Sequence, residues 1–181
     1  MAHQDGSRST VAERSELAVR AKLLAELDSA VERLLAAAAA HASDDVLVDG
    51  SWSVRDVVGH VTFWHESFAR NVDDLAHARH PTPLRGRLSD LNERGVAEAR
   101  TVPLVTIVER FRAAHATIRA SIVSPTLDLI PYRIGSRPYT PGEHLEVVRD
   151  HVRAHARSLE RASDPGRRRT TRPVRDVEAG A

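Results

Sequence analysis

The chain has 181 residues, 41% of them hydrophobic but only 4% aromatic, with a net charge of +1 and no cysteine. Such a length suits one domain that buries its own core, and the lack of cysteine excludes disulfides, thiolate metal sites and a cysteine nucleophile. The near-neutral balance argues against a nucleic-acid partner; no apolar run approaches the roughly 20 residues that span a bilayer, and the polar N-terminus lacks a signal-peptide pattern, so a cytoplasmic protein with no membrane contact is expected.

Residues 1–9 are polar and predicted to be disordered. A capping box at Thr10 and Glu13 then starts a domain over 10–163. Leu17, Leu24, Leu27, Val31, Leu34 and Leu35 form the stripe of a first helix, extended by the alanine run 36–40. It stops near Ser43, Asp44 and Asp45, whose short polar side chains compete for backbone hydrogen bonds, and a loop is expected up to Trp52. Ser53 and Asp56 make the next capping box, and Val54, Val57, Val58, Val61, Trp64, Phe68, Val72 and Leu75 give a second helix running to about Ala78. Pro81 and Pro83 break the chain. A short helix over 88–100 precedes a third long one, with its stripe at Leu104, Val108, Phe111, His115, Ile118 and Ile122. After a Pro- and Gly-rich loop, Thr140, Pro141 and Glu143 combine an N-cap, a proline at the first helical position and a reciprocal carboxylate. The fourth long helix buries Leu145, Val148, Val152 and Leu159. Residues 164–181, with Arg167, Arg168, Arg169, Arg172 and Arg175, read as a disordered Arg-rich tail. Four long amphipathic helices predict an all-α four-helix bundle.

Three histidines carry the chemistry expected of this bundle. His60 lies about 90° from the centre of the buried face of the second helix, on its flank. His151 and His155 stand at i and i+4, a spacing that points two imidazoles at one ion. Imidazole donors suit several divalent metals, with zinc first because three protein ligands and an open position are its usual catalytic arrangement, and nickel or iron next. The alternative is a set of hydrogen-bonded flank histidines in a chain with ten histidines. Because free imidazole titrates near ~6.5, a metal held this way is expected to be lost below about pH 6. His144, one heptad before His151, and His115, inside an apolar stripe, are catalytic candidates that also fit plain core roles. His65 stands equally near the buried face of its helix. Tyr132 and Tyr139 border the loop before the last helix and offer phenols to a pocket at the bundle end. Trp52 and Trp64 are expected to line that substrate pocket or pack the core beside it.

Trp52-Ser53-Val54-Arg55-Asp56 with His60 and Trp64, followed by His151 and His155 on the last helix, resembles the DinB-like superfamily of four-helix proteins. Asp90-Leu91-Asn92 and the segment from Pro103 to Phe111 are most similar to its ClbS/DfsB branch. The resemblance implies an up-down-down-up bundle, the same three metal ligands and an enzyme acting on a small electrophile. Two reactions follow from it: transfer from a low-molecular-weight thiol, as an S-transferase, or hydrolytic ring-opening in detoxification, self-resistance or specialised metabolism. The branch also implies a metal-free hydrolase as an alternative, and Asn92 falls at its capping position. A non-catalytic protein that sequesters a small ligand, as monomer or homodimer, stands as the competing class.

Overall fold

A computed structural model describes residues 5–163, with side chains from residue 14 onward. The order is α1 (Asp5–Ala39), β1 (Leu47–Asp49), β2 (Trp52–Ser53), α2 (Val54–Ala76), α3 (Leu88–Ala99), α4 (Leu104–Ser121) and α5 (Pro141–Ser163). α1 begins ahead of the start expected at Thr10, and the Arg-rich tail lies outside the described residues. Ser53 caps α2 as expected: its side chain accepts from the Asp56 amide at 3.2 Å, and the Asp56 carboxylate accepts from the Ser53 amide at 3.1 Å. Thr140 and Glu143 exchange the same pair of bonds at the head of α5.

Side-chain contacts give the helix directions. On α1 and α5, Glu26 meets Arg149 and Arg153 while Arg33 meets Glu160, so these helices are parallel. On α2 and α4, Glu66 meets Arg110 while Asp73 meets Ser121, so they too are parallel. His60 meets His151 whereas Phe68 meets His144, which makes α2 and α5 antiparallel. The long helices therefore run up, down, down, up. Parallel neighbours cannot be joined by a tight hairpin, so the connection from α2 to α4 is long, and it pairs with the segment before α5 where Ile134 donates to the Leu84 carbonyl at 2.8 Å.

One core fills the bundle: Leu27, Leu34, Val58, Phe111, Ile118, Leu145 and Leu159 are all fully buried. On α4 the buried stripe includes Ile107 where the periodicity placed Val108, which is half-buried. α3 lies against α2 at two glycines. A Cβ on Gly59 would fall 2.0 Å from the Ala99 Cβ, and one on Gly95 would fall 2.9 Å from that of Phe63. The expected loop before α2 is instead a short antiparallel hairpin, turning at Gly50 with φ of 59°. No described helix is long and apolar enough to cross a membrane.

Candidate metal centre and cavity

The start of α2 fixes the first donor. Asp56 serves the cap and also accepts two bonds from the Arg100 guanidinium, each 2.8 Å long, and those bonds hold its carboxyl below the usual range. One turn on, His60 is buried against α5, with its Nε2 2.9 Å from Nε2 of His151. One nitrogen from each of His60, His151 and His155 lies within 4.8 Å of the others. The Trp52 ring, set by the hairpin, packs on His60 at 4.8 Å and stacks on His155 at 6.3 Å.

Burial, helped by neighbouring imidazoles, pushes His60 down to about 4 and His151 to about 3; burial also lowers His155, against the opposing pull of Asp49. Three neutral rings thus meet at neutral pH, each with a lone pair to give. Two Nε2 atoms at 2.9 Å must share a proton or face a common cation, and the Nδ1 atoms of His60 and His155 are buried without hydrogen-bond partners. This donor set fits a divalent metal ion.

Beside the histidines lies a cavity of about 570 Å³. Trp52, Trp64 and Tyr132 supply aromatic walls, α3 contributes Leu88 and Asn92, α5 contributes Val147, and Asp49 reaches in from β1. Trp64 stacks on Tyr132 at 5.1 Å and donates its indole N–H to Asn92 Oδ1 at 2.9 Å. Asn92 therefore fixes a cavity wall, beyond the capping role its motif suggested. Asp49, Leu88 and Val147 escaped the sequence reading. A three-residue strand leaves no periodicity, and Leu88 and Val147 are exposed positions that no burial pattern selects.

The remaining candidates sit elsewhere. His144 neither joins the three histidines nor lines the cavity; it is buried against Phe68 at 4.2 Å and Tyr139 at 5.3 Å. Tyr139 stays behind Tyr132, outside the cavity. His115 is also outside it, in a part-buried hydrogen-bonded chain that explains its place in an apolar stripe. Its Nε2 is 2.8 Å from Asp28 Oδ1 on α1, and its Nδ1 is 3.2 Å from Nε2 of the fully buried His65. Arg119 closes on the other oxygen of Asp28. With the carboxylate as acceptor, His115 donates from Nε2 and receives from His65.

Burial pushes His144 down to about 4. Above its unfolded value of ~6.5 the ring is neutral in both states and makes no pH-linked contribution. As pH falls from there to about 4, only the unfolded chain takes up the proton, so stability is lost across that window. The loss from this one ring is on the order of 2 kcal/mol at pH 5. His144→Phe should therefore flatten the fall in melting temperature between pH 7.5 and 5, as read by circular dichroism; parallel curves for variant and wild type would contradict the assignment.

Residues 24–124 match the family described as Mycothiol maleylpyruvate isomerase N-terminal domain. The match takes in His60 and ends before His151 and His155. The chain also superposes on the crystal structure of the mycothiol-dependent maleylpyruvate isomerase, with a TM-score of 0.64 at 10% identity, over 77% of this chain and 60% of that one. At that identity the likeness is one of fold, and the chain spans about 60% of that enzyme's length. No curated protein matches the chain in sequence.

Proposed function

Because the chain belongs to the mycothiol maleylpyruvate isomerase N-terminal domain family, within the DinB-like superfamily, we propose that it is a thiol-dependent enzyme acting on a small electrophile. His60, His151 and His155 would hold a divalent metal ion, zinc by preference. When bound there, such an ion acidifies a thiol or water near ~7 and supplies a nucleophile at neutral pH. The observation that carries the reading is the convergence of three neutral imidazoles, their nitrogens within 4.8 Å, beside a cavity of about 570 Å³.

The chain has no cysteine, so the attacking sulfur comes from a cosubstrate. Mycothiol is the thiol we assign, since the family is named for its use. Trp52, packed on two of the histidines, holds their rings in place and keeps water from one side. Trp64, Tyr132 and Asn92 form a wall that positions the electrophile. We place the protein in the cytoplasm, as a monomer or homodimer with no nucleic-acid partner.

Water in place of the thiol would make the protein a ring-opening hydrolase, the activity to which the Asp90-Leu91-Asn92 resemblance points. The test uses protein purified without a His tag. Elemental analysis should find one equivalent of metal, and the loaded protein should consume mycothiol together with a small electrophile and release a thioether. Product lacking sulfur moves the assignment to hydrolysis. Tight one-to-one binding with no product, in metal-loaded protein, would replace the enzyme with a sequestering protein.

A further inference from the structure

Beyond the histidines, three side-chain donors on the cavity wall have no hydrogen-bond partner among the described residues: Trp52 Nε1, Asn92 Nδ2 and Tyr132 Oη. Trp52 packs on His60 and His155 and so belongs to the histidine side. The other two flank Trp64. An indole N–H can only donate, so the 2.9 Å bond from Trp64 requires the oxygen of Asn92 and turns its NH2 group away from that ring. Gly95, one turn beyond Asn92, takes Phe63 so closely that a Cβ there would fall 2.9 Å from the Phe63 Cβ, which leaves α3 little room to shift. Tyr132 is held by its stack on Trp64 at 5.1 Å and edge-on by Tyr139 and His144, each at 6.0 Å. Burial pushes its phenol up, so at neutral pH it keeps the proton it would donate. Neither Nδ2 nor Oη is sealed from solvent.

We propose that Asn92 Nδ2 and Tyr132 Oη form a preset pair of donors that receives the oxygen of the electrophile on which negative charge develops when sulfur attacks. The inference rests on the thiol-dependent reading and adds two catalytic residues to it. There the histidine side serves the thiol, so the charge that leaves sulfur must be met elsewhere on the wall. The new sulfur–carbon bond displaces an electron pair onto that oxygen, which takes up a proton from water in place of the one the thiol released. Neutral donors suit this task. They hold a carbonyl or epoxide oxygen weakly in the ground state and more strongly as charge builds on it, and groups already fixed need not reorganise.

Asn92→Asp keeps an oxygen for Trp64 but removes the NH2 group, and Tyr132→Phe keeps the stacked ring but removes the hydroxyl. Acetophenone, isotope-labelled at its carbonyl carbon, is the binding probe. Bound to tag-free protein as purified, its carbon NMR signal should move downfield, as carbonyls do on accepting hydrogen bonds. The move should shrink in each variant and survive chelation. No binding, a shift unchanged in either folded variant, or one abolished by chelation would overturn the proposal, the last by placing the oxygen on a metal. Should Asn92→Asp fail to fold, Tyr132→Phe decides alone, since it removes only a solvent-open hydroxyl. Turnover supplies the second readout, with zinc-loaded protein and mycothiol. Styrene oxide leaves its charge on oxygen, whereas benzyl chloride leaves it on chloride. Each variant should lower kcat for styrene oxide by ~10²-fold or more with KM little changed, and leave benzyl chloride turnover as in wild type. Equal slowing of both electrophiles would show a merely structural role and overturn the proposal. Thiol consumption with neither electrophile, alongside the carbonyl shift, sinks the enzyme and leaves the donors standing. Consumption of styrene oxide at the wild-type rate in both variants does the reverse.

Discussion

His155→Ala is expected to weaken zinc binding by more than ~100-fold, since even an outer-shell partner of a metal ligand is worth 10–100-fold, and to reduce thiol-dependent turnover to background. Two histidines remain after the substitution, but neither supplies the third donor that closes the set of nitrogens within 4.8 Å. The helix survives the change because its buried face, Val152, Ala156 and Leu159, is untouched. The readout is paired: metal content by elemental analysis, and the melting curve with and without added zinc. Wild type at a thousandfold excess of zinc over its dissociation constant should gain about 4 kcal/mol, or roughly 8–16 °C for a domain of this size. The variant should gain almost nothing. His80→Ala, an exposed histidine, is the control. A variant that keeps both its metal and its thermal shift would remove the three-histidine centre from the account.

Gly59→Ala is expected to lower the melting temperature by about 4–8 °C, although alanine is the better helix former by ~1 kcal/mol. The new Cβ would fall 2.0 Å from that of Ala99, and the backbone of α3 must retreat to admit it. Overpacking costs typically 1–3 kcal/mol; a 2.0 Å approach lies at the upper end of that range, and after the propensity gain it leaves a net loss of about 2 kcal/mol. The damage would extend to the cavity, because α3 carries Leu88 and Asn92 into its lining and Asn92 orients Trp64. Ala99→Gly in the same chain restores the room that was taken, so the double variant should recover most of the loss. Strong coupling in that cycle is the signature of direct contact; additive losses would mean that the two positions do not meet.

The bundle and its three histidines were legible because their signals are local. Helical phase set His60 on a flank, i to i+4 spacing paired His151 with His155, and caps at Ser53 and Thr140 marked two helix starts correctly. What escaped depends on partners distant in sequence. His144 shares a flank with His151, yet Phe68 closes over it and keeps it from the cavity. His115 looked out of place in an apolar stripe until α1 supplied Asp28, 87 residues away. The hairpin that carries Asp49 is too short to write a period-two pattern. Gly59, read along one helix, signals only a weaker helix, and its use becomes visible when Ala99 is set against it.

The up-down-down-up order has a bearing on biogenesis. α1 packs beside α5, and Arg33 reaches Glu160 across 127 residues of chain. A ribosome adding about 5–20 residues each second therefore exposes α1, α2 and α4 for seconds before α1 can meet its parallel neighbour. During that interval Leu27, Leu34 and Val31 have no α5 to cover them, and the nascent chain presents His60 alone. The three histidines come together only with the last described helix, in the same event that closes the core. A half-made chain thus leaves apolar surface open for seconds and lacks two of the three histidines of the group.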